Sequence, residues 1–223
     1  MAEPRPFDAV VFDYGGVLTT PLRDSTGQWL AADRITPDSF ALAMREWLGR
    51  GAAPGSPIHR LETGELSGPD FERAFAARLA THDGTPVSSD GLLARLFAGM
   101  RTDPAMFDLL RDLRATGVKV GLLSNSWGNH YPDDLHEKFD AMVISGEVGL
   151  RKPDPVIYRL VLDKLDVPAE RAVFVDDAPV NVEAAIALGM RAIRHQDAAA
   201  TRAALETLIP GLAGSNIDGD VTA

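Results

Sequence analysis

The alternation of apolar and polar residues divides this chain into two kinds of region. An apolar run at residues 7–12 predicts a buried strand, which stops at Asp13 and is followed by the glycines of a tight turn. Between residues 20 and 100 the apolar residues recur at helical spacing, with helices predicted at 37–49, 69–80 and 89–98 and a loop at 49–57. Beyond residue 103 strands and helices alternate, and the strands are predicted at 118–124, 141–145, 172–177 and 190–193.

Short apolar strands that alternate with helices are typical of a parallel sheet covered on both faces. We therefore predict an α/β protein with a core domain formed by residues 1–19 and 101–223, a doubly wound, Rossmann-like parallel sheet. Residues 20–100 are predicted to form a helical insert after the first strand of that core. Residues 210–223 contain few apolar side chains, and we expect them to be a frayed tail.

The composition is that of an ordinary globular protein, since 45% of the 223 residues are hydrophobic and 24% are charged. A formal net charge of −10 argues against sequence-independent nucleic-acid binding, which requires a basic surface. The absence of cysteine excludes disulfides, thiolate metal ligands and a cysteine nucleophile. No signal-peptide pattern and no membrane-length apolar run is present, so we expect a cytoplasmic protein without a membrane partner. We also expect no nucleic-acid partner and a monomer or homodimer.

Polar side chains follow several predicted strands, and parallel sheets bind ligands at the carboxyl ends of their strands. Asp13, Ser124 and the pair Asp176 and Asp177 end or follow strands, and Lys152 lies in a loop after the third strand. Each has an ordinary interpretation as a turn residue, a helix N-cap or a surface lysine. Together they would bring three carboxylates to one edge, where mutual repulsion favours a bound cation. Oxygen ligands without cysteine or paired histidine suit Mg²⁺.

Four short motifs occur in the order and strand context of the haloacid dehalogenase superfamily, which the chain resembles from residue 7 to residue 189. The matching segments are 12–19 (FDYGGVLT), 123–126 (LSNS), 152–155 (KPDP) and 174–177 (FVDD) followed by 181–185 (NVEAA). The helical insert resembles the helical cap domain of the family's phosphatase-like members. The resemblance implies a Mg²⁺-dependent hydrolase that removes phosphate from a small phosphorylated metabolite.

Residue by residue, the resemblance implies a nucleophile, a metal site and a phosphate site. Asp13 would attack phosphorus to form an aspartyl-phosphate, which water then hydrolyses. Asp13, the backbone carbonyl of Gly15 and Asp177 would share Mg²⁺, with Asp176 as a neighbouring acid. Ser124 and the Asn125 amide would hold the phosphoryl oxygens, and Lys152 would neutralise charge between the nucleophile and the phosphate. Gly16 and, at the pocket mouth, Trp127 would also contact the substrate.

The sequence departs from the family pattern at Gly15. Phosphatases of the family usually carry a second aspartate two residues after the nucleophile, where it serves as general acid and base. One hypothesis is therefore a phosphatase whose substrate has a good leaving group, such as a sugar 1-phosphate or an acyl phosphate. Alternatively, the substrate itself or the cap supplies the acid, and the candidates in the cap are His59, Asp33 and Glu62.

Two other hypotheses stay open. The first is a protein that binds Mg²⁺ and a phosphorylated ligand, or a protein partner, with little turnover. The second is a 2-haloacid dehalogenase, in which Asp13 attacks carbon and no metal is needed. The paired carboxylates of Asp176 and Asp177 disfavour the dehalogenase, because they would repel a carboxylate substrate without a cation between them.

Overall fold

The computed structural model describes residues 5–49, 52–128 and 131–214. Within these residues one sheet contains the strands β1 (Ala9–Phe12), β2 (Lys119–Ser124), β3 (Ala141–Ile144), β4 (Ala172–Asp176) and β5 (Arg191–Arg194). The strand order is β3-β2-β1-β4-β5, and every neighbouring pair is parallel. The predicted parallel sheet is confirmed, and the first strand of the chain lies at its centre.

The pairing register of β1 with its two neighbours determines which residues lie side by side at the carboxyl ends of the strands. Phe12 pairs with Leu122 of β2 and with Val175 of β4. Asp13 therefore lies level with Asp176, the last residue of β4, and its backbone N–H donates to the Val175 carbonyl at 2.9 Å. Strand pairing alone thus brings two carboxylates from distant parts of the chain to one edge of the sheet.

The described residues also form ten α-helices. In chain order they are α1 (Leu22–Ala32), α2 (Pro37–Trp47), α3 (Pro57–Glu62), α4 (Gly68–Ala76), α5 (Leu92–Phe97), α6 (Pro104–Ala115), α7 (Ser145–Val148), α8 (Pro155–Leu165), α9 (Pro179–Ala187) and α10 (Ala198–Glu206). Helices α6, α8 and α10 each begin after an aspartate that accepts the N-cap hydrogen bond: Asp103, Asp154 and Asp197. None of these described helices is both long and apolar enough to cross a lipid bilayer.

Alternate residues of β1 face opposite sides of the sheet and enter two separate apolar cores. Val10 and Phe12 share a core with side chains of α6 and α10. Ala9 and Val11 belong to the other core, with side chains of α8 and α9. Because helices cover both faces of the parallel sheet, the predicted doubly wound architecture is confirmed.

The helical insert, residues 20–100, contains α1 to α5 and encloses an apolar cluster of its own. Fully buried Phe71 and Phe75 stack at its centre with ring centroids 5.3 Å apart. An antiparallel bridge between Thr19 and Thr102 lies where the chain leaves and rejoins the core. The sequence pattern predicts α2, α4 and α5 but not α1, whose apolar residues are sparse, or the six-residue α3.

The expectation of a frayed tail is wrong for its first residues. Leu212 is 1% exposed and packs, with Ile209, against the core on the α6 and α10 face. Ile209 lies three positions before Leu212, which begins a short 3₁₀ turn, and both side chains cover the core although the other residues of this segment are small. The rest of the predicted tail, 215–223, and residues 50 and 51 of the predicted loop lie outside the described residues.

Candidate active site

A buried triad of charges lies at the carboxyl edge of the sheet. Lys152 Nζ is 2.8 Å from Asp13 Oδ1 and 2.7 Å from Asp176 Oδ2. Lys152 and Asp176 are almost completely buried, whereas Asp13 is 9% exposed. The lysine therefore separates two carboxylates that would otherwise repel each other in a poorly solvated place.

Asp176 is fully engaged inside the protein. Its Oδ1 accepts from the Ala178 backbone N–H at 2.8 Å, and both of its oxygens accept from Asn181 Nδ2, at 3.1 and 3.0 Å. Asn181 lies in the first turn of α9, so the connection from β4 to α9 supplies these donors. A carboxylate with this many donors is firmly anchored, and it holds Lys152 in place.

The two carboxylate oxygens of Asp13 have different surroundings. Oδ1 accepts from the Tyr14 backbone N–H at 2.7 Å and lies against Lys152. Oδ2 receives no hydrogen bond from the described residues, and Asp13 lines a cavity at this edge of the sheet. One oxygen is therefore fixed, and the other is available to a ligand in the cavity.

Burial and the neighbouring charges together set the pKa values of Asp13 and Lys152. It raises the pKa of Asp13 above its ordinary value; Lys152 opposes this rise, and the charge of Asp176 adds to it. Burial alone would lower the pKa of Lys152, but Asp13 and Asp176 outweigh it and raise that pKa. The lysine is therefore a permanent cation, and the charge of Asp13 depends on what else occupies the cavity.

Asp177 completes an acidic group that could hold a metal ion. One carboxylate oxygen from each of Asp13, Asp176 and Asp177 lies within 4.8 Å of the others. Asp177 is the exposed member, and no described side chain donates a hydrogen bond to it. Burial, and then the charge of Asp176, raise the pKa of the Asp177 carboxyl, although the charge of Lys152 opposes this rise. The donors are hard oxygen atoms, which fits Mg²⁺.

The two glycines after Tyr14 differ in the space around them. Gly16 has a φ of +77°, and a Cβ atom there would lie 2.9 Å from Asp177 Oδ2. A side chain at Gly16 would strain the backbone and displace Asp177. A Cβ atom at Gly15 would meet no heavy atom within 4 Å, and Gly15 is not among the residues with positive φ. The turn therefore needs glycine at Gly16 and has room for a side chain at Gly15.

Ser124, the last residue of β2, receives a hydrogen bond that sequence reasoning missed. The Tyr131 hydroxyl donates to Ser124 Oγ at 2.8 Å, and the Tyr131 ring packs edge-on against Tyr14 with centroids 4.8 Å apart. Because the serine oxygen accepts from the tyrosine, its own proton is free to point towards the cavity. Tyr131 follows Ser124 by seven residues and lies outside the four motifs, so no signal in a single sequence marks it.

Asn125 joins two of the motif loops through its side chain. Its Oδ1 accepts from the Lys152 backbone N–H at 2.8 Å, and its Nδ2 donates to the Lys152 carbonyl at 3.1 Å. The Lys152 ammonium also lies over the Phe174 ring, 5.6 Å from the centroid. The backbone and the ammonium of Lys152 are thus both held, which fixes the cation between its carboxylates.

The helical insert reaches this edge of the sheet through Glu62, the last residue of α3. Its 4% exposed carboxylate accepts from Trp127 Nε1 at 2.9 Å and from Arg151 Nε at 2.6 Å. Its backbone carbonyl accepts from the Ser145 hydroxyl at 2.5 Å. Trp127 directly follows the second motif and Arg151 directly precedes the third, so Glu62 connects the insert to both loops.

None of the three acid candidates named from the sequence presents a free proton donor to the cavity. Both oxygens of Glu62 are engaged by Trp127 and Arg151. Asp33 accepts from Arg95 Nε at 2.8 Å within the insert and does not line the cavity. His59 does not line it either, and burial, together with the Arg151 charge, lowers the pKa of its imidazole.

A cavity of about 390 Å³ lies above the buried charges, in the size range of small-molecule sites. Of the residues predicted to form the site, those that line it are Asp13, Gly15, Gly16, Ser124, Asn125, Trp127, Lys152 and Asp177. Asp176 is the exception, because it lies fully buried against Lys152. The insert also contributes to the walls, so the cavity lies between the sheet edge and the helical insert.

Asp13 with its free oxygen, the fixed Lys152 ammonium, the Ser124 hydroxyl and Asp177 thus line one cavity at the edge of a doubly wound sheet. The model of the haloacid dehalogenase-like hydrolase family matches residues 7–189. The chain belongs to this family.

Known relatives include phosphatases. A sesquiterpene phosphatase, astK of Aspergillus oryzae, is 30% identical over 211 residues, 91% of this chain and 97% of the relative. A phosphorylated carbohydrates phosphatase of Thermotoga maritima is 31% identical over 194 residues, 83% of each chain. Other relatives are much longer, and the chain spans 18% and 36% of two of them.

Solved structures share the fold. A family enzyme from Bacteroides thetaiotaomicron, crystallised with magnesium and inorganic phosphate, superposes with a TM-score of 0.65. The two chains are 20% identical, and the superposition covers 85% of this chain and 94% of the other.

Proposed function

We propose that this protein is a Mg²⁺-dependent phosphatase that hydrolyses a small phosphate monoester through an aspartyl-phosphate intermediate. The observation that carries the proposal is Asp13, whose Oδ1 is fixed by Tyr14 and Lys152 while Oδ2 is left to the cavity. A positioned carboxylate oxygen beside a permanent cation suits attack on an electrophilic phosphorus.

The first chemical step transfers the phosphoryl group to Asp13. Oδ2 forms the new bond to phosphorus while the bond between phosphorus and the ester oxygen breaks, and the leaving oxygen takes a proton from water or from the substrate. Lys152 stabilises the negative charge shared between Asp13 and the transferring group. Asp176 acts indirectly, since its part is to hold Lys152. Water then hydrolyses the acyl phosphate and regenerates the carboxylate.

The residues that would hold Mg²⁺ are Asp13, the Gly15 carbonyl and Asp177. The ion, when bound, neutralises phosphate charge and orients the phosphoryl group. Asp176 already accepts hydrogen bonds on both oxygens, so we assign it to Lys152 rather than to the ion. The magnesium and inorganic phosphate in the Bacteroides thetaiotaomicron enzyme support the choice of ion and of a phosphate ligand, but they do not bear on the residue assignment.

The phosphate would be received by Ser124, whose oxygen is occupied by Tyr131 so that its proton can be donated to a phosphoryl oxygen. Asn125 and Gly16 also line the cavity, and we expect the Asn125 backbone N–H to bind a phosphoryl oxygen. Trp127 lines the same cavity and would contact the organic part of the substrate. The phosphatase names of astK and of the Thermotoga maritima relative support a phosphorylated small molecule as substrate.

The test is phosphate release with acetyl phosphate and a panel of phosphate monoesters. We expect activity that requires Mg²⁺ and that falls at least about 10³-fold in Asp13→Asn, because the nucleophile is lost. Asp177→Asn should raise the Mg²⁺ concentration needed for half-maximal activity, and Asp24→Asn, at an exposed aspartate of α1, is the matched control. Equal turnover by the native protein and Asp13→Asn would sink the proposal.

Gly15 favours a second candidate function, the binding of Mg²⁺ and a phosphorylated ligand with little turnover. No acid occupies the position of the leaving group's usual proton donor; Glu62 is bonded to Trp127 and Arg151, and His59 and Asp33 do not line the cavity. Tight Mg²⁺-dependent phosphate binding without Asp13-dependent turnover would favour this second function. Halide release from haloacetates would instead favour a dehalogenase.

A further inference from the structure

The cavity above the buried charges has two unlike parts. Its floor is charged and contains Asp13, Lys152 and Asp177. The rest of its wall is formed largely by apolar side chains from the insert and the core: Leu22, Leu48, Phe97, Met100, Trp127 and Val180. A ligand whose phosphate reaches the floor would place its organic part among these side chains.

Two wall residues are among the few large apolar side chains of the described structure that are exposed. Leu48, directly after α2 in the insert, is 41% exposed, and Val180, in the first turn of α9, is 44% exposed. When an apolar group covers apolar surface that borders a cavity, the free energy of the system falls. The insert and the core each present such surface to the same cavity.

The polar side chains in the wall are mostly paired within the protein. Glu62 and Asn125 are bonded to other protein groups through both of their polar side-chain atoms, Asn181 donates through its Nδ2, and Ser126 Oγ donates to the Gly128 carbonyl at 2.8 Å. A sugar or other polyol would bring several hydroxyl groups against these engaged side chains. Each hydroxyl buried without a partner disfavours binding.

Apart from Ser124, which we assign to the phosphate, two wall side chains keep unused donors. The Nη nitrogens of Arg151 and the hydroxyl of Tyr14 donate no hydrogen bond to the described residues. The Arg151 guanidinium is a cation, and it suits the phosphate or another anionic group of the ligand. These two side chains are too few to replace the hydration of a polyol.

We infer that the substrate is a phosphate monoester whose organic part is an apolar hydrocarbon group. This inference rests on the proposed phosphatase function, because it names the substrate class of the same site. The charged floor selects the phosphate, and the apolar wall selects the hydrocarbon. The inferred substrate class differs from the two examples considered from the sequence, a sugar 1-phosphate and an acyl phosphate.

The test is a series of n-alkyl phosphates, from ethyl to octyl, assayed with Mg²⁺ below their micelle-forming concentrations. Each methylene group that enters the apolar wall should raise kcat/KM about 2- to 4-fold. Hexyl phosphate should exceed glucose 6-phosphate, also a primary six-carbon ester, at least about 10-fold. A series without chain-length dependence, or equal rates for the two six-carbon esters, would overturn the inference.

Two matched pairs of variants locate the effect. Leu48→Asn should lower the ratio of hexyl to ethyl phosphate kcat/KM about 5-fold, and Val180→Thr about 2-fold. The controls are Leu42→Asn in α2 and Val156→Thr, at the second position of α8 as Val180 is of α9; both native residues are exposed, but neither lines the cavity. Unchanged ratios in the cavity variants, or equal losses in the controls, would contradict the inference.

Acetyl phosphate separates failure of the inference from failure of the proposed function. Asp13-dependent hydrolysis of acetyl phosphate with a flat alkyl series would leave the phosphatase standing and overturn the hydrocarbon substrate. If no ester is hydrolysed, n-alkyl phosphonates are titrated calorimetrically in the presence of Mg²⁺. Affinity that rises with chain length then supports the hydrocarbon site although the phosphatase proposal fails, and constant affinity overturns both.

Discussion

The floor of the cavity comes from the core alone, whereas its wall combines residues of the core and of the insert, and the two are held together in different ways. At the floor, strand register sets Asp13 beside Asp176, and Lys152 is buried between them. At the wall, the insert keeps its own apolar cluster and reaches the catalytic loops through Glu62. The proposed reacting groups therefore depend on the sheet, whereas the surroundings of the substrate also depend on how the insert is docked.

The largest expected effect comes from adding an acid to the floor. Gly15→Asp should raise kcat/KM for simple alkyl phosphates about 10²- to 10⁴-fold, because it supplies the missing proton donor at a position with open space. Steady-state phosphate release at saturating Mg²⁺ measures the gain. Gly15→Asn is the control of equal size without an acidic proton, and a similar rate in both variants would show that the acid is not limiting.

Among the substitutions that remove a contact, replacement of Lys152 should lower the stability of the protein most. Lys152→Met leaves Asp13 and Asp176 buried without their shared partner, and we expect a loss of about 3–5 kcal/mol in the free energy of unfolding. Urea denaturation without Mg²⁺ measures this loss. Lys164→Met, at an exposed position of α8, should change stability little. A loss of less than about 1 kcal/mol in Lys152→Met would mean that the buried carboxylates are neutral without the lysine.

Breaking the link between the insert and the loops should cost less and act locally. Glu62→Gln loses the charge that pairs with Arg151, and we expect about 1.5–3 kcal/mol of destabilisation. Faster amide hydrogen exchange in α3, with β1 and β4 unchanged, would place the effect in the insert. Glu65→Gln, at an exposed glutamate three residues further on, is the control. Equal acceleration throughout the sheet would contradict a separate role for this link.

The smallest effect concerns one hydroxyl group. Tyr131→Phe keeps the ring packed against Tyr14 and removes the hydrogen bond to Ser124, worth about 1 kcal/mol. We expect kcat to fall about 5-fold, with a smaller change in KM, because the serine proton is no longer directed at the phosphoryl group. Stopped-flow measurement of the first turnover would separate this step from product release. A change confined to KM would indicate a role in binding alone.

Much of the floor follows from the sequence because it depends on strand ends. The apolar runs mark β1, β2 and β4, and parallel pairing brings Asp13, Ser124 and Asp176 to one edge without further information. The Lys152 loop follows from the same reasoning, since its motif comes after β3. The family resemblance adds roles to these positions, but their meeting point is already set by the order of the elements.

The wall could not be predicted in the same way because its contacts join distant residues through side chains. Glu62 meets Trp127 and Arg151, which are 65 and 89 positions away, and no periodic pattern records such a pairing. The short helix α3 that carries Glu62 lacks enough turns to give a helical period. Leu212 was missed for a similar reason, because a single apolar side chain in a polar segment does not show what it will cover.

The position of Trp127 has a consequence for how this protein can be observed. The three tryptophans of the chain, Trp29, Trp47 and Trp127, all pack into the apolar cluster of the insert, although Trp127 belongs to a loop of the core. Intrinsic tryptophan fluorescence is therefore the optical signal of one region, while far-ultraviolet dichroism reports the sheet and all helices together. Trp127, in contact with Phe71 and Phe97 and bonded to Glu62, lets that signal report the seating of the insert on the catalytic loops.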